Sequence, residues 1–199
     1  MDEGGLIETA VAEAALPGEE ESGDLHLVAP HDGGVLVAAI DGLGHGSEAA
    51  EAARKARLTL ERNPGGDLPD LFVTAHSTLA RSRGVVMSLA SFAPSGSLTW
   101  LGVGNVEGTL VRGDERPVRR ADSILLLGGV VGFQLPPLRP STTLVRPGDL
   151  LILATDGIVA GYLPGLDPAA GPKALADSIL AEYRRGGDDA LVLVARYLG

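Results

Sequence analysis

Acidic residues stand at the edges of four hydrophobic, strand-like runs. Asp24 precedes the run 25–29, Asp41 follows 35–40, Asp156 follows 150–155, and the pair Asp188 and Asp189 precedes 190–195. In antiparallel strands, one strand entered at its acidic end and another left at its acidic end bring their carboxylates to one rim. Carboxylates gathered this way repel each other unless a cation sits between them. A hard divalent ion, bound through oxygen alone, is the natural occupant. The pattern therefore points to metal-assisted phosphoryl chemistry.

Composition narrows the field. The net charge is −10, and such a surface repels phosphate backbones, which argues against nucleic acid as a partner. Cysteine is absent, which rules out thiolate metal sites, disulfides and cysteine nucleophiles. The four histidines, His26, His31, His45 and His76, show no HExxH or other zinc-type spacing. No apolar stretch reaches membrane-spanning length, and Met1-Asp2-Glu3 carries the wrong charge for a signal peptide. The expectation is a cytoplasmic protein with no membrane partner. The length of 199 residues suits one domain, 1–199.

The elements that must position the acids follow from periodicity and turn chemistry. Residues 6–15 and a run from Leu25 read as strands, and His31-Asp32-Gly33-Gly34 reads as a hairpin turn into 35–40. Run 35–40 is wholly apolar, as expected of a strand covered on both faces. Ser47 is the expected N-cap of a helix with Ala49, Ala53, Ala56 and Leu60 at helical spacing, closed by Asn63-Pro64-Gly65-Gly66. A second helix is expected over 67–80. From Val85 the period changes to that of strands, over 85–93, 98–103, 108–112 and 123–127. Residues 142–145 and 150–154 read as a hairpin around Pro147-Gly148-Asp149, followed by a helix over 173–185 and a closing strand over 190–198. This order predicts an α+β fold: a four-layer α-β-β-α sandwich of mainly antiparallel sheets. The arginines Arg81, Arg83, Arg112, Arg116, Arg119 and Arg120 read as solvated surface charge, and Trp100 as core.

The segment Asp41-Gly42-Leu43-Gly44-His45-Gly46-Ser47 joins a buried strand to a helix. Its glycines allow a tight turn and close approach to a ligand. A dinucleotide fingerprint is the rival reading, but the spacing is G-x-G-x-G and Asp41 would face the pyrophosphate unfavourably. The plain alternative is a glycine turn with no ligand.

Asp41-Gly42-Leu43-Gly44-His45-Gly46, Ala154-Thr155-Asp156-Gly157 and Gly187-Asp188-Asp189-Ala190 occur in an order and spacing that resemble the metal-dependent PPM (type-2C) protein phosphatases. Ser22-Gly23-Asp24, Gly102-Val103-Gly104-Asn105 and Gly129-Val130-Val131-Gly132 are similar to segments of the SpoIIE/RsbU branch. Within that branch the chain looks most like the RsbX type of stressosome phosphatase. The resemblance implies a phosphoserine/phosphothreonine phosphatase, acting on phosphorylated STAS-domain scaffold proteins with two Mn²⁺ or Mg²⁺ ions. It implies that Asp41 bridges the ions with help from the Gly42 carbonyl. Asp156 and Asp188 would complete one ion, and Asp24 would serve the other, directly or through water. Asp189 is expected behind the ligands, although sequence does not separate it from Asp188. Larger relatives carry a histidine two residues after the bridging Asp. Here that position is Leu43, so His45 either approaches the leaving oxygen or caps the turn. Two alternatives stand beside this: action on an anti-sigma-factor antagonist, and a non-catalytic regulator binding STAS-domain partners. Retention of four mutually repelling aspartates argues against the regulator.

Overall fold

The expected α-β-β-α sandwich is what the chain forms. The structure, a computed structural model, describes residues 5–114, 118 and 121–199. Strand β1 (Ile7–Ala14) is followed by the hairpin of β2 (Asp24–His31) and β3 (Gly34–Gly42), which turns at Asp32 and Gly33. Helices α1 (Ser47–Glu61) and α2 (Leu68–Leu79) follow, then β4 (Val85–Phe92), β5 (Ser97–Val103) and β6 (Glu107–Val111). Short strands β7 (Asp122–Ser123), β8 (Leu126–Leu127) and β9 (Ser141–Leu144) lead to β10 (Leu150–Ala154). Helix α3 (Pro172–Tyr183) and β11 (Ala190–Tyr197) close the fold.

One sheet has the order β1-β11-β10-β6-β7, and the other β2-β3-β4-β5-β8 with β9 also beside β5. Pairing is antiparallel except between β5 and β8. The inner faces pack together through Val37, Phe92, Trp100, Leu153 and Leu193. Helices α1 and α2 cover the outer face of the β2–β5 sheet, with Ala52, Ala53 and Ala56 against the strands. These small side chains let the helix lie close to the sheet. Helix α3 covers the other outer face through Leu175, Ala176 and Ile179.

Three expectations need correction. Residues 123–127 are not one strand: Ser123 pairs with β6 in one sheet, while Leu126 and Leu127 pair with β5 in the other. Strands β9 and β10 do not form a hairpin, because β9 pairs with β5 and β10 with β6 and β11. Their Pro-Gly-Asp turn is a corner between sheets, where Asp149 accepts from the N–H groups of Gly113 and Arg146. Ser47 is the first residue of α1, and Gly46 caps it at φ 74°, a left-handed backbone that favours glycine. Of the arginines, Arg83 pairs with Glu48 and Arg112 with Asp149 and Asp122. Arg116, Arg119 and Arg120 lie outside the described residues. Among the described residues no helix is long and apolar enough to cross a membrane.

Candidate metal centre and active site

Two antiparallel pairs deliver the acids to one end of the sandwich. The β2–β3 register sets Asp24 opposite Asp41. In the other sheet Ala154 lies opposite Val192, so Asp156 just beyond β10 and Asp188 just before β11 emerge at the same end. Asp41, Asp156 and Asp188 line one cleft of about 510 Å³, together with His45, Asn105 and residues 128–130.

The sheets are stitched together behind this cleft by Thr155. Its hydroxyl donates to Asp24 Oδ2 at 2.7 Å and accepts from the Leu191 N–H at 2.9 Å. Asp24 is 2% exposed and faces Asp41 from behind the cleft lining. Burial is the main force pushing its pKa up to about 7; the Thr155 hydrogen bond opposes this, and the charges of Asp189, Asp156 and Asp188 reinforce it. Asp41 is pushed up to about 8, again first by burial, then by Asp24, Asp156, Asp188 and Asp189. Asp156 is raised by burial and by Asp188, against the lowering influence of Arg185 and of Asn105, whose amide donates to Asp156 Oδ2 at 2.8 Å.

Asp188 and Asp189 separate cleanly. Neighbours at the start of a strand point to opposite faces. Asp188 lines the cleft. Asp189 is 3% exposed, and its two oxygens accept from the N–H groups of Leu16 and Gly23, both at 2.7 Å. It thereby fixes the chain where it enters β2.

Glycine is required at two positions by close approach. A Cβ at Gly42 would overlap the Ala49 carbonyl, and one at Gly157 would overlap the Asp189 carbonyl. Gly42 N–H donates to the Gly23 carbonyl at 3.0 Å, which ties the ends of the two facing strands together. His45 stands at the exposed rim, its Nδ1 2.7 Å from Glu19 Oε1, so one ring nitrogen is already engaged. Among the described residues no three acidic or imidazole groups already stand in ligating geometry. The carboxylates face one cleft and repel across it.

A profile of the SpoIIE family (stage II sporulation protein E) matches residues 31–198. The chain belongs to the SpoIIE family. That family lies within the PP2C-type serine/threonine protein phosphatases, so this chain is a protein phosphatase of the SpoIIE/RsbU branch. A solved chain from work on the bacterial stressosome, a modular system adapted to control secondary messenger signalling, is 29% identical. The match covers 96% of this chain and 99% of that one, with a TM-score of 0.87. RsbX in complex with magnesium is 22% identical over 96% of this chain and 95% of that one, TM-score 0.83. The catalytic domain of the phosphatase PstP, in complex with 2 manganese ions, is 20% identical over 97% and 99%, TM-score 0.75. At these identities the last two speak for the fold. No curated protein matches the sequence significantly.

Three residues beside the acids escaped the sequence reading as candidate site residues. Asn105 was visible only as the end of a glycine segment, and Thr155 only as part of a motif. Arg185 follows α3, and its N–H donates to the Gly157 carbonyl at 2.7 Å. Its side chain is exposed beside Asp156 and, among the described residues, carries no ion pair. Only the packing of the two sheets brings Thr155 to Asp24, and only the pairing of β10 with β6 brings Asn105 to Asp156.

Proposed function

We propose that this phosphatase removes phosphoryl groups from serine and threonine of STAS-domain stressosome proteins and so resets a stress response in the cytoplasm, with residues 1–199 as one catalytic domain. The observation that carries the reading is the facing pair Asp24 and Asp41, joined at the same end by Asp156 and Asp188. These are oxygen donors whose charges the fold disfavours, as the raised pKa values of Asp24 and Asp41 show. Such a set suits Mn²⁺ or Mg²⁺, which compensate the repulsion.

Asp41 would be shared between two ions, with the Gly42 carbonyl beside it. Asp156 and Asp188 would hold one ion, and Asp24 the other, directly or through water. When bound, the ions supply an activated water and a clamp on the phosphoryl oxygens. The rest falls to the chain. Thr155 holds the Asp24 carboxylate in orientation, and Asn105 does the same for Asp156. Asp189 holds the entry to β2 and contributes from behind. Arg185 attracts the phosphate dianion towards an acidic mouth that would otherwise repel it. His45 stands at the exposed rim of the cleft and would lie beside the leaving oxygen.

The stressosome assignment draws support from the 29% identical chain described with that assembly. The experiment is incubation with phosphorylated STAS-domain stressosome proteins, and separately with a phosphorylated anti-sigma-factor antagonist, each with and without Mn²⁺, followed by mass measurement. Loss of the phosphoryl mass from the stressosome proteins, only with Mn²⁺, is expected. Turnover of the antagonist alone would move the substrate assignment. Stoichiometric binding with no turnover would identify a regulator.

A further inference from the structure

We propose that Phe133 is an apolar anchor that seats the folded phosphoprotein beside the catalytic cleft, an inference that rests on the phosphatase reading above. The residue is 84% exposed, the most open large hydrophobic residue among the described residues. The backbone beneath it is firmly tied. Val131 is fully buried and exchanges two hydrogen bonds with Val85, at 3.0 and 2.8 Å. Val130 and Gln134 exchange another pair, at 2.9 and 2.8 Å, and the Gly132 N–H donates to His76 Nδ1 at 3.1 Å. A tight turn bound to β4 and α2 therefore holds a phenyl ring in water.

The same turn reaches the active site. Gly128, Gly129 and Val130 form part of the cleft wall, and Phe133 lies three residues further on. Parts of the mouth carry no side chain. A Cβ added at Gly128 on this wall, or at Gly187 beside Asp188, would meet no neighbouring atom. Bound ions and Arg185 would grip the phosphoryl group of any substrate alike, and a net charge of −10 does not draw the rest of an acidic protein in. Affinity for the folded part of the substrate must come from contacts outside the acidic floor. Rigid, exposed aromatics are where interfaces concentrate binding energy, because little side-chain entropy is lost when they dock. The fitting partner is a folded domain with an apolar dimple or side chain next to its phosphorylated serine or threonine.

The test compares wild type, Phe133→Ala and Phe133→Leu, all loaded with Mn²⁺, on p-nitrophenyl phosphate, a phosphorylated STAS-domain protein and phosphocasein. Phe133→Ala is expected to raise KM for a phosphoprotein about tenfold or more while leaving the aryl phosphate within about twofold. Phe133→Leu should recover most of that loss. Unchanged KM on the phosphoproteins, or an equal loss on all substrates, overturns the anchor but leaves the phosphatase reading intact. A wild-type dimer that Phe133→Ala dissociates, with KM unchanged, overturns it in favour of a second copy as occupant. Turnover of the aryl phosphate alone also overturns it. Wild type inactive on every substrate refutes the phosphatase reading itself.

Discussion

Replacing Asp41 by Asn should make the metal-free protein more stable while destroying its activity. The fold pushes the Asp41 carboxyl up to about 8, from an ordinary value of 3.8. A carboxyl whose pKa is higher folded than unfolded leaves the native state holding more protons between those two values. Its stability contribution is then full at low pH and is lost as pH rises from about 4 to about 8. At about pH 7.5 the linkage integral approaches 5 kcal/mol if nothing screens the charge. Asp41 opens partly to the cleft, where water and side-chain relaxation remove roughly half, leaving about 2–3 kcal/mol. In a protein of this size each kcal/mol moves Tm by about 2–4 °C, so Asp41→Asn should melt roughly 5–10 °C above wild type. The measurement is thermal unfolding followed by circular dichroism in chelator-containing buffer. At about pH 5 the gap should shrink to roughly a third, because the wild-type carboxyl is then protonated when folded and partly so when unfolded. Adding Mn²⁺ should raise the wild-type Tm and leave the variant nearly unmoved, since only the native wild type binds the ion tightly. A variant that melts at or below wild type at about pH 7.5, or a gap equal at both pH values, would refute the electrostatic picture.

Three further outcomes test the surrounding shell. Thr155→Val removes the donor to Asp24 and the acceptor for Leu191, and should destabilise the protein by about 1–3 kcal/mol in urea unfolding, because both partners stay buried. Asn105→Ala frees Asp156 from its 2.8 Å restraint, and should lower Mn²⁺ affinity and activity by about 10–100-fold while leaving Tm in chelator nearly unchanged. Arg185→Ala should weaken competitive inhibition by inorganic phosphate about tenfold, read as an inhibition constant against p-nitrophenyl phosphate, with Arg185→Lys intermediate.

How much of this was legible beforehand depends on how local the cause was. Asp32 and Gly33 form a two-residue turn, and from it each step out along β2 is matched by one along β3. The eighth pair is Asp24 with Asp41, so recognising the turn already places two carboxylates face to face. The hydrophobic runs and the Ala stripe of α1 likewise announce their elements, because burial on one face leaves a period in the sequence. Sheet membership leaves no such trace. A Pro-Gly-Asp turn followed by an apolar strand looks the same whether the chain doubles back or changes sheets. That is why 142–154 read as a hairpin, although β9 pairs with β5 and β10 with β11.

The same limit explains Asp188 and Asp189. Composition makes them equals, and only the phase of β11 against β10 decides that one faces the cleft while the other accepts from Leu16 and Gly23. Asp189 shows what the fold does with a buried carboxylate that it can use: both oxygens receive backbone N–H groups, and the charge becomes part of the scaffold. Among the described residues Asp41 receives no such bonds and is instead crowded by four other carboxylates. A site that satisfied Asp41 internally would be more stable and could not bind a cation, because the lone pairs would already be taken. The strain at Asp41 and the full satisfaction of Asp189 are therefore complementary. The second holds the frame rigid enough for the first to remain unpaired.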